Sequence, residues 1–169
     1  MSFIESVKGA LPEYAKDAKL NLEAVLLRST LDPNVAMGCA VAALAATGNG
    51  KLLSVMLADA PLHAESAMTA ASIMAQNNVW YPFVEMTEDP ALKGLPAQLR
   101  MNAIANHGGT TKANFEAFSL AASIVGKCHF CVKSHYDTLR VHEGYSVEQL
   151  RDIGRIAAVM NSVAKVLNS

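Results

Sequence analysis

The apolar residues of this chain recur at spacings of three and four along almost its whole length, as they do in helices that bury one face. Alternating runs rich in Val, Ile, Thr and Tyr, which are typical of strands, are missing, and Ala, Leu, Met, Glu and Lys dominate. An all-α fold is therefore predicted, with helices at about 2–9, 12–20, 20–29, 33–47, 51–60, 64–76, 78–87, 96–104, 112–125, 129–143 and 147–167.

Local signals support several of these helix ends. Asp32 is a typical N-cap residue and Pro33 suits the first helical position, while Gly48 ends the same helix. Ser146, followed three residues later by Gln149, has the spacing of a capping box for the last helix. These signals strengthen the predicted boundaries of two long helices.

Two stretches of the chain, about 38–78 and 116–162, share one order of elements. Each contains a helix, a short break, a second helix, a turn and a third helix. Only the second stretch carries a closely spaced cysteine pair. We predict an internal pseudo-repeat with chemistry in one half, the alternative being that Ala-rich helices resemble one another without duplication.

Length and composition favour one helical domain over residues 1–169, because 51% hydrophobic residues supply a sizeable core. The formal net charge is -1 with both signs scattered, and aromatic residues make up 6%, so no nucleic-acid partner is expected. No apolar run approaches the roughly 18 residues of a membrane span, and the first residues lack the features of a secretory signal. We expect a soluble, cytoplasmic protein with no membrane partner.

Two of the three cysteines, Cys128 and Cys131, are separated by two residues, and Cys39 stands apart in an apolar helix. In a reducing compartment such a close pair is more often catalytic or metal-binding than structural. The spacing places the thiols one helical turn apart, close enough for a disulfide with little backbone movement. Gly126 is expected to break the preceding helix, so that the pair begins a new one whose N-terminus, together with Lys127, favours a thiolate. Cys39 is expected to be an inert buried residue.

His135 follows Cys131 by four residues and shares its helical face. An imidazole there can take up the thiol proton, so Cys131 is expected to be the attacking cysteine. Cys128, nearer the start of the helix, is suited to attack an oxidised Cys131 and close the disulfide. The sequence therefore predicts a catalytic pair with an adjacent base.

Glu116 lies on the preceding helix and shares a face with Ser119 and Ser123. A carboxylate and two hydroxyls form an unusual polar line in so apolar a helix, and they lead toward the cysteine turn. Glu116 is expected to orient His135 or to accept a proton through water. The alternative is a first-turn carboxylate that stabilises the helix dipole after Asn114.

Metal binding is the main alternative for the cysteine pair, and an inert buried pair is another. A structural zinc site usually needs four ligands. Besides Cys128 and Cys131, only His135 and His129 lie close in sequence, and His129 is expected to point away from the shared face. Redox chemistry is the favoured interpretation, and no bound metal is expected.

Four stretches of the chain resemble the alkyl hydroperoxide reductase D (AhpD) family of the carboxymuconolactone decarboxylase-like superfamily. They are LPEYAKDAKLNL, NNVWYPFVEM, LPAQLRMNAIANHGG and FEAFSLAASIVGKCHFCVKSH, so the resemblance covers nearly the whole chain. The last stretch is the most specific, because it places Glu116, Cys128, Cys131 and His135 at the family's spacing. The chain is therefore similar to this family both in extent and in its chemistry-bearing residues.

The resemblance implies an AhpD-like helical fold with internal pseudo-symmetry, assembled as a homotrimer, and an enzyme that reduces alkyl hydroperoxides. It implies that Cys131 is the peroxidatic thiol, Cys128 the resolving thiol, and Glu116 with His135 the proton relay. The implied reductant is a dihydrolipoyl group on the lipoylated acyltransferase subunit of a 2-oxoacid dehydrogenase. No flavin, metal or other tightly bound cofactor is implied.

One position departs from the family pattern. Members can carry a histidine just before the second cysteine, where this chain has Phe130, and its histidine is shifted to His129. Phe130 makes the surroundings of the thiols more apolar, which disfavours a charged thiolate but suits an alkyl substrate. Two other functions stay open at this point, namely a decarboxylase of the same superfamily and a zinc- or redox-controlled interaction module.

Overall fold

The computed structural model describes residues 2–168 and contains helices but no strands over that range, which confirms the predicted all-α fold. Within residues 2–168, three short 3₁₀ turns and one π-helical turn connect the α-helices. The α-helices are α1 (Phe3–Ala10), α2 (Lys16–Leu27), α3 (Pro33–Thr47), α4 (Gly50–Leu57), α5 (Ala64–Thr87), α6 (Pro90–Lys93), α7 (Lys112–Gly126), α8 (His129–Asp137) and α9 (Val147–Val166).

Helix α3 lies at the centre of the fold, because every residue but one from 35 to 44 is buried. Gly38 on α3 faces the ring of Phe118 on α7 so closely that a Cβ atom would overlap it. The predicted ends of α3 are confirmed: the Asp32 side chain accepts the Asn34 N–H at 2.9 Å, and Gly48 has φ 77°. The core therefore forms around α3, with α5, α7 and α9 packed against it.

The predicted break between residues 76 and 78 is wrong, since α5 runs unbroken from Ala64 to Thr87. Its two central asparagines are held inside the helix by contacts with other parts of the chain. Asn77 Nδ2 lies 3.4 Å from Met101 Sδ, and Asn78 Nδ2 donates to the Ala122 carbonyl at 3.2 Å. These tertiary contacts outweigh the low helix propensity of asparagine.

The predicted helix at about 96–104 is also wrong, because only the 3₁₀ turn Asn102–Ile104 is helical there. Gln98 has φ 52°, which interrupts any right-handed helix. Leu95 and Leu99 are 63% and 36% exposed, so the segment lacks the buried face that would stabilise a helix.

The internal pseudo-repeat stays a prediction. The structure does contain the two expected orders of elements, with α3, α4 and α5 in the first stretch and α7, α8 and α9 in the second. Helices α3 and α7 each have 15 residues and are followed by helices of 8 and 9 residues. This shared order is consistent with duplication and places the cysteine pair in the second set.

A buried carboxylate links α9 to the loop between α2 and α3. Asp152 is 3% exposed and accepts the Thr30 N–H and hydroxyl at 2.8 and 2.9 Å, while Arg155 donates to its other oxygen at 3.0 Å. Burial alone would raise the pKa of Asp152, but the bonds from Thr30 and Arg155 outweigh it and hold this pKa below its ordinary value. The ionised form is therefore the one that stabilises the fold.

Asp152→Asn is expected to lower the free energy of unfolding by about 1–3 kcal/mol at pH 7, because hydrogen bonds to a buried charge are lost. Since folding lowers this pKa, the stabilisation is present above about pH 4 and is lost as the pH falls through the folded-state value. The variant should therefore differ less from the unmodified protein near pH 3 in urea unfolding followed by circular dichroism. Asp137→Asn, which removes an exposed pair with Lys133, should change stability by less than about 0.5 kcal/mol. Equal stability of the Asp152 variant and the unmodified protein at pH 7 would contradict this role.

None of the helices in residues 2–168 combines the length and the apolar character needed to cross a bilayer.

Candidate active site

The cysteine pair lies at the N-terminus of α8, as predicted. Helix α7 ends at Gly126, Lys127 has φ 57°, and Cys128 is the N-cap of α8. The left-handed residue is thus Lys127, and Gly126 itself remains helical. Glycine is needed at position 126 for clearance, because a Cβ atom there would overlap the Asn78 side chain.

A disulfide joins Cys128 and Cys131, whose Cα atoms are 5.3 Å apart. Cys128 is fully buried and Cys131 is 3% exposed. The Cys131 N–H donates to Cys128 Sγ at 3.2 Å, so an unpaired backbone donor at the helix start faces this sulfur. Cys39, the remaining cysteine, is buried as predicted, and burial raises the pKa of its thiol.

The carbonyl oxygen of Asn77 on α5 faces both sulfurs. It lies 3.7 Å from Cys131 Sγ and 3.9 Å from Cys128 Sγ. A carbonyl can accept a hydrogen bond from a thiol but offers nothing to a bonded sulfur or a thiolate. The same backbone atom is therefore placed to bind the S–H groups of the reduced pair.

Glu116 and His135 form a close pair between α7 and α8. Glu116 Oε2 lies 2.6 Å from His135 Nδ1, and the two side chains are 14% and 15% exposed. The N-terminus of α7 is capped by Thr111, whose hydroxyl accepts the backbone N–H of Asn114, so Glu116 is not needed as the cap of this helix. Glu116 is therefore placed to orient the imidazole, as one of the two sequence interpretations expected.

The other imidazole nitrogen, His135 Nε2, lies 3.2 Å from Met74 Sδ on α5. Both ring nitrogens thus have partners, and among the hydrogen bonds within residues 2–168 neither partner is a cysteine. No hydrogen bond therefore joins His135 to Cys131 while the disulfide is closed, and the proton-transfer role expected of His135 stays a prediction. The absence of this bond has a chemical reason, because a sulfur in a disulfide has no proton to share with a base.

Ser119 and Ser123 continue the polar line of Glu116 along α7. Both are fully buried, and within residues 2–168 neither hydroxyl forms a hydrogen bond. The backbone carbonyl of Ser123 accepts the Cys128 N–H at 3.4 Å, so this line leads to the cysteine turn as the sequence predicted.

A groove of about 1190 Å³ lies on the outer side of α8, between this helix, the second half of α5 and the segment after it. Phe130 is 56% exposed and stacks on Tyr81 of α5, with ring centroids 4.4 Å apart. His129, which was expected to point away from the face shared by the cysteines and His135, is exposed, and its Nδ1 lies 3.7 Å from Glu85 Oε1. Phe130 therefore lines the groove rather than the buried space around the sulfurs.

Within the described part of the chain, no group of three or more His, Cys, Asp or Glu side chains converges as a metal site would require. Cys128 and Cys131 are joined by a disulfide, and the His135 ring is hydrogen-bonded to Glu116. The described side chains thus form a disulfide centre next to an acid–imidazole pair. Fold and site together define an all-helical protein with a dithiol–disulfide centre.

Comparison with known proteins assigns the family. The carboxymuconolactone decarboxylase family matches residues 90–169. An alkyl hydroperoxide reductase AhpD of Rhodospirillum centenum is 43% identical over 171 residues, which cover 98% of this chain and 91% of the relative. Proteins of the same name are 41% identical in Maricaulis maris, covering 97% and 96%, and 40% identical in Coxiella burnetii, covering 96% of each chain. The chain belongs to the AhpD family, within the carboxymuconolactone decarboxylase-like superfamily.

Three groups that contact the site were not predicted to do so from the sequence. Met74, the Asn77 carbonyl and Tyr81 all lie on α5, more than 40 residues before the cysteine pair. Only the long-range packing of α5 against α7 and α8 brings them to the site. No local spacing signals such contacts, although an asparagine pair inside an apolar helix was an available clue.

Proposed function

We propose that this protein is an alkyl hydroperoxide reductase that works through Cys128 and Cys131. The observation that carries the proposal is the buried disulfide at the start of α8, one helical turn before a histidine paired with a glutamate. Its relatives are named for the same activity. A disulfide at this position is the product expected once a peroxide has oxidised the pair.

In the proposed reaction the Cys131 thiolate attacks the distal oxygen of the hydroperoxide. The O–O bond breaks, the alkoxide takes a proton and leaves as an alcohol, and Cys131 becomes a sulfenic acid. Cys128 then attacks the oxidised sulfur, water leaves, and the disulfide forms. The helix N-terminus stabilises the thiolate, and the Glu116–His135 pair supplies and removes protons.

A dithiol must return the pair to its reduced form. We propose that a dihydrolipoyl group on the acyltransferase subunit of a 2-oxoacid dehydrogenase is this dithiol, and that the protein acts in the cytoplasm. The donor gives two electrons and two protons and is itself closed to a disulfide. No flavin or metal of the protein's own enters this scheme.

The groove beside α8 supports binding of an apolar substrate or an extended donor arm. Trp80, Tyr81 and Phe130 give it an aromatic wall. The apolar portion of an alkyl hydroperoxide can be buried against such a wall. Phe130, which departs from the family pattern, therefore contributes to an apolar surface on the outer side of α8.

We also propose a homotrimer. Exposed apolar side chains on the second half of α5 support it, because Val79, Phe83 and Met86 are 70%, 45% and 75% exposed. Their spacing of four and three residues places them on one face of α5, and a contiguous exposed apolar patch is typical of a protein–protein interface. Analytical ultracentrifugation should give three times the mass of the chain, and a monomer at micromolar concentration would contradict the assembly.

A coupled assay tests the function. It contains dihydrolipoamide, dihydrolipoamide dehydrogenase and NADH, with tert-butyl hydroperoxide as oxidant. We expect NADH consumption that requires the protein, the peroxide and lipoamide together. Absence of turnover with lipoamide but activity with dithiothreitol would overturn the donor alone. Absence of turnover with both reductants, or stoichiometric zinc in protein purified without chelator, would overturn the peroxidase.

A further inference from the structure

We infer that Met74 is a positioning residue that holds His135 in its proton-donating form while the disulfide is closed. The inference rests on the proposed thiol redox function and adds a residue from α5 to it. It starts from the 3.2 Å contact between Met74 Sδ and His135 Nε2, which is buried because Met74 is 1% exposed.

The thioether fixes the location of one proton. A methionine sulfur has lone pairs and no hydrogen to donate, so a hydrogen bond in this contact requires the proton on His135 Nε2. A ring with a bare Nε2 would instead place its lone pair against those of the sulfur. The contact therefore selects a form of His135 that is protonated at Nε2.

The second ring nitrogen carries a proton as well, or shares one. Nδ1 lies 2.6 Å from Glu116 Oε2, a distance that requires a hydrogen between them. The Glu116–His135–Met74 chain thus holds two protons, either as carboxylate and imidazolium or as carboxylic acid and Nε2–H imidazole. In both forms Nε2 is a donor and cannot act as a base.

Reduction of the disulfide requires a proton donor next to the sulfur that leaves. When a dithiol reductant attacks Cys128, the S–S bond breaks and its electron pair goes to Cys131. Cys131 leaves as a thiolate and takes the proton from Nε2 of His135, which lies four residues later on the same helix. Met74 thereby keeps a proton on Nε2 while the disulfide is closed, and the ring rotates away from Met74 to carry this proton to Cys131.

Met74→Leu tests this role, because leucine keeps most of the apolar volume and removes the acceptor. Met160→Leu on α9 is the matched control, since Met160 is equally buried and lies in the core. In the disulfide form, the Nε2–H of His135 observed by ¹⁵N NMR should exchange with solvent about 3- to 10-fold faster in the Met74 variant, the factor of a typical hydrogen bond. Reduction of the disulfide by dithiothreitol should slow by a similar factor, and Met160→Leu should change neither rate.

Exchange and reduction rates equal to those of the unmodified protein would overturn the inference. If Met74→Leu does not fold, the unmodified protein still decides, because a bare Nε2 at pH 7 in the disulfide form would overturn it equally. Neither readout uses a peroxide. If the unmodified protein had no peroxidase activity, the proposed function would be overturned, but the test of Met74 would still be valid.

Discussion

Replacing Cys131 with serine is expected to abolish peroxide turnover, with a loss of at least about 10³-fold in the coupled assay. The reason is that a serine hydroxyl at this position is neither ionised nor able to form a sulfenic acid. Serine keeps nearly the same volume, so the buried start of α8 should retain its structure. Circular dichroism and thermal unfolding check that the loss is chemical.

Cys128→Ser should also stop turnover but by a different route. Its Cys131 should still consume one equivalent of peroxide and stay as a sulfenic acid that dimedone traps. Cys39→Ala is the control, because Cys39 is buried, and burial raises the pKa of its thiol. Sulfenic acid on Cys128 in the Cys131→Ser variant, with none on Cys131 in the Cys128→Ser variant, would reverse the two roles.

Glu116→Gln should lower turnover about 10²-fold, the lower end of what positioned proton transfer contributes. The amide keeps the size of the side chain and a contact with His135 Nδ1. It removes the negative charge that stabilises a protonated ring at 2.6 Å. The pH profile of turnover, measured in the coupled assay, should change shape because the ring loses its charged partner.

Glu23→Gln is the matched control, since Glu23 is also paired, with Lys8 at 2.8 Å, but is 46% exposed and lies on α2. It should leave turnover and its pH profile unchanged. If Glu116→Gln kept the full rate across the pH range, Glu116 would be a structural partner of His135 and no part of the proton relay.

The arrangement of the site residues was largely predictable from the sequence because most of it is local. Cys128 and Cys131 are three residues apart, and a backbone break before them was enough to place them at a helix start. The pairing of Glu116 with His135 spans only one helix break, and the polar line along α7 indicated its direction. The spacing of residues along two adjacent helices was therefore enough to predict how these four side chains are arranged.

The remaining part depends on packing between distant helices. The sequence spacing predicts that His135 acts on Cys131, whereas the hydrogen-bond partners of its ring are Glu116 and Met74, and Met74 lies 61 residues earlier. The sequence predicts a helix break at Gly126, whereas this glycine remains helical and makes room for Asn78 of α5. The prediction of a helix near residue 98 was wrong because helical periodicity does not reveal whether another part of the chain will bury the apolar face. These features require knowledge of where α5 and the segment after it lie.

The central claim is that Cys128 and Cys131 alternate between a dithiol and a disulfide as a peroxide is reduced. The most direct test is to add one equivalent of tert-butyl hydroperoxide to fully reduced protein and to follow the products by mass spectrometry. We expect one tert-butanol per chain, a mass lower by two hydrogen atoms, and a peptide cross-linked between Cys128 and Cys131. Peroxide consumption with both thiols left free would contradict the account, as would a stable dithiol that leaves the peroxide unreacted.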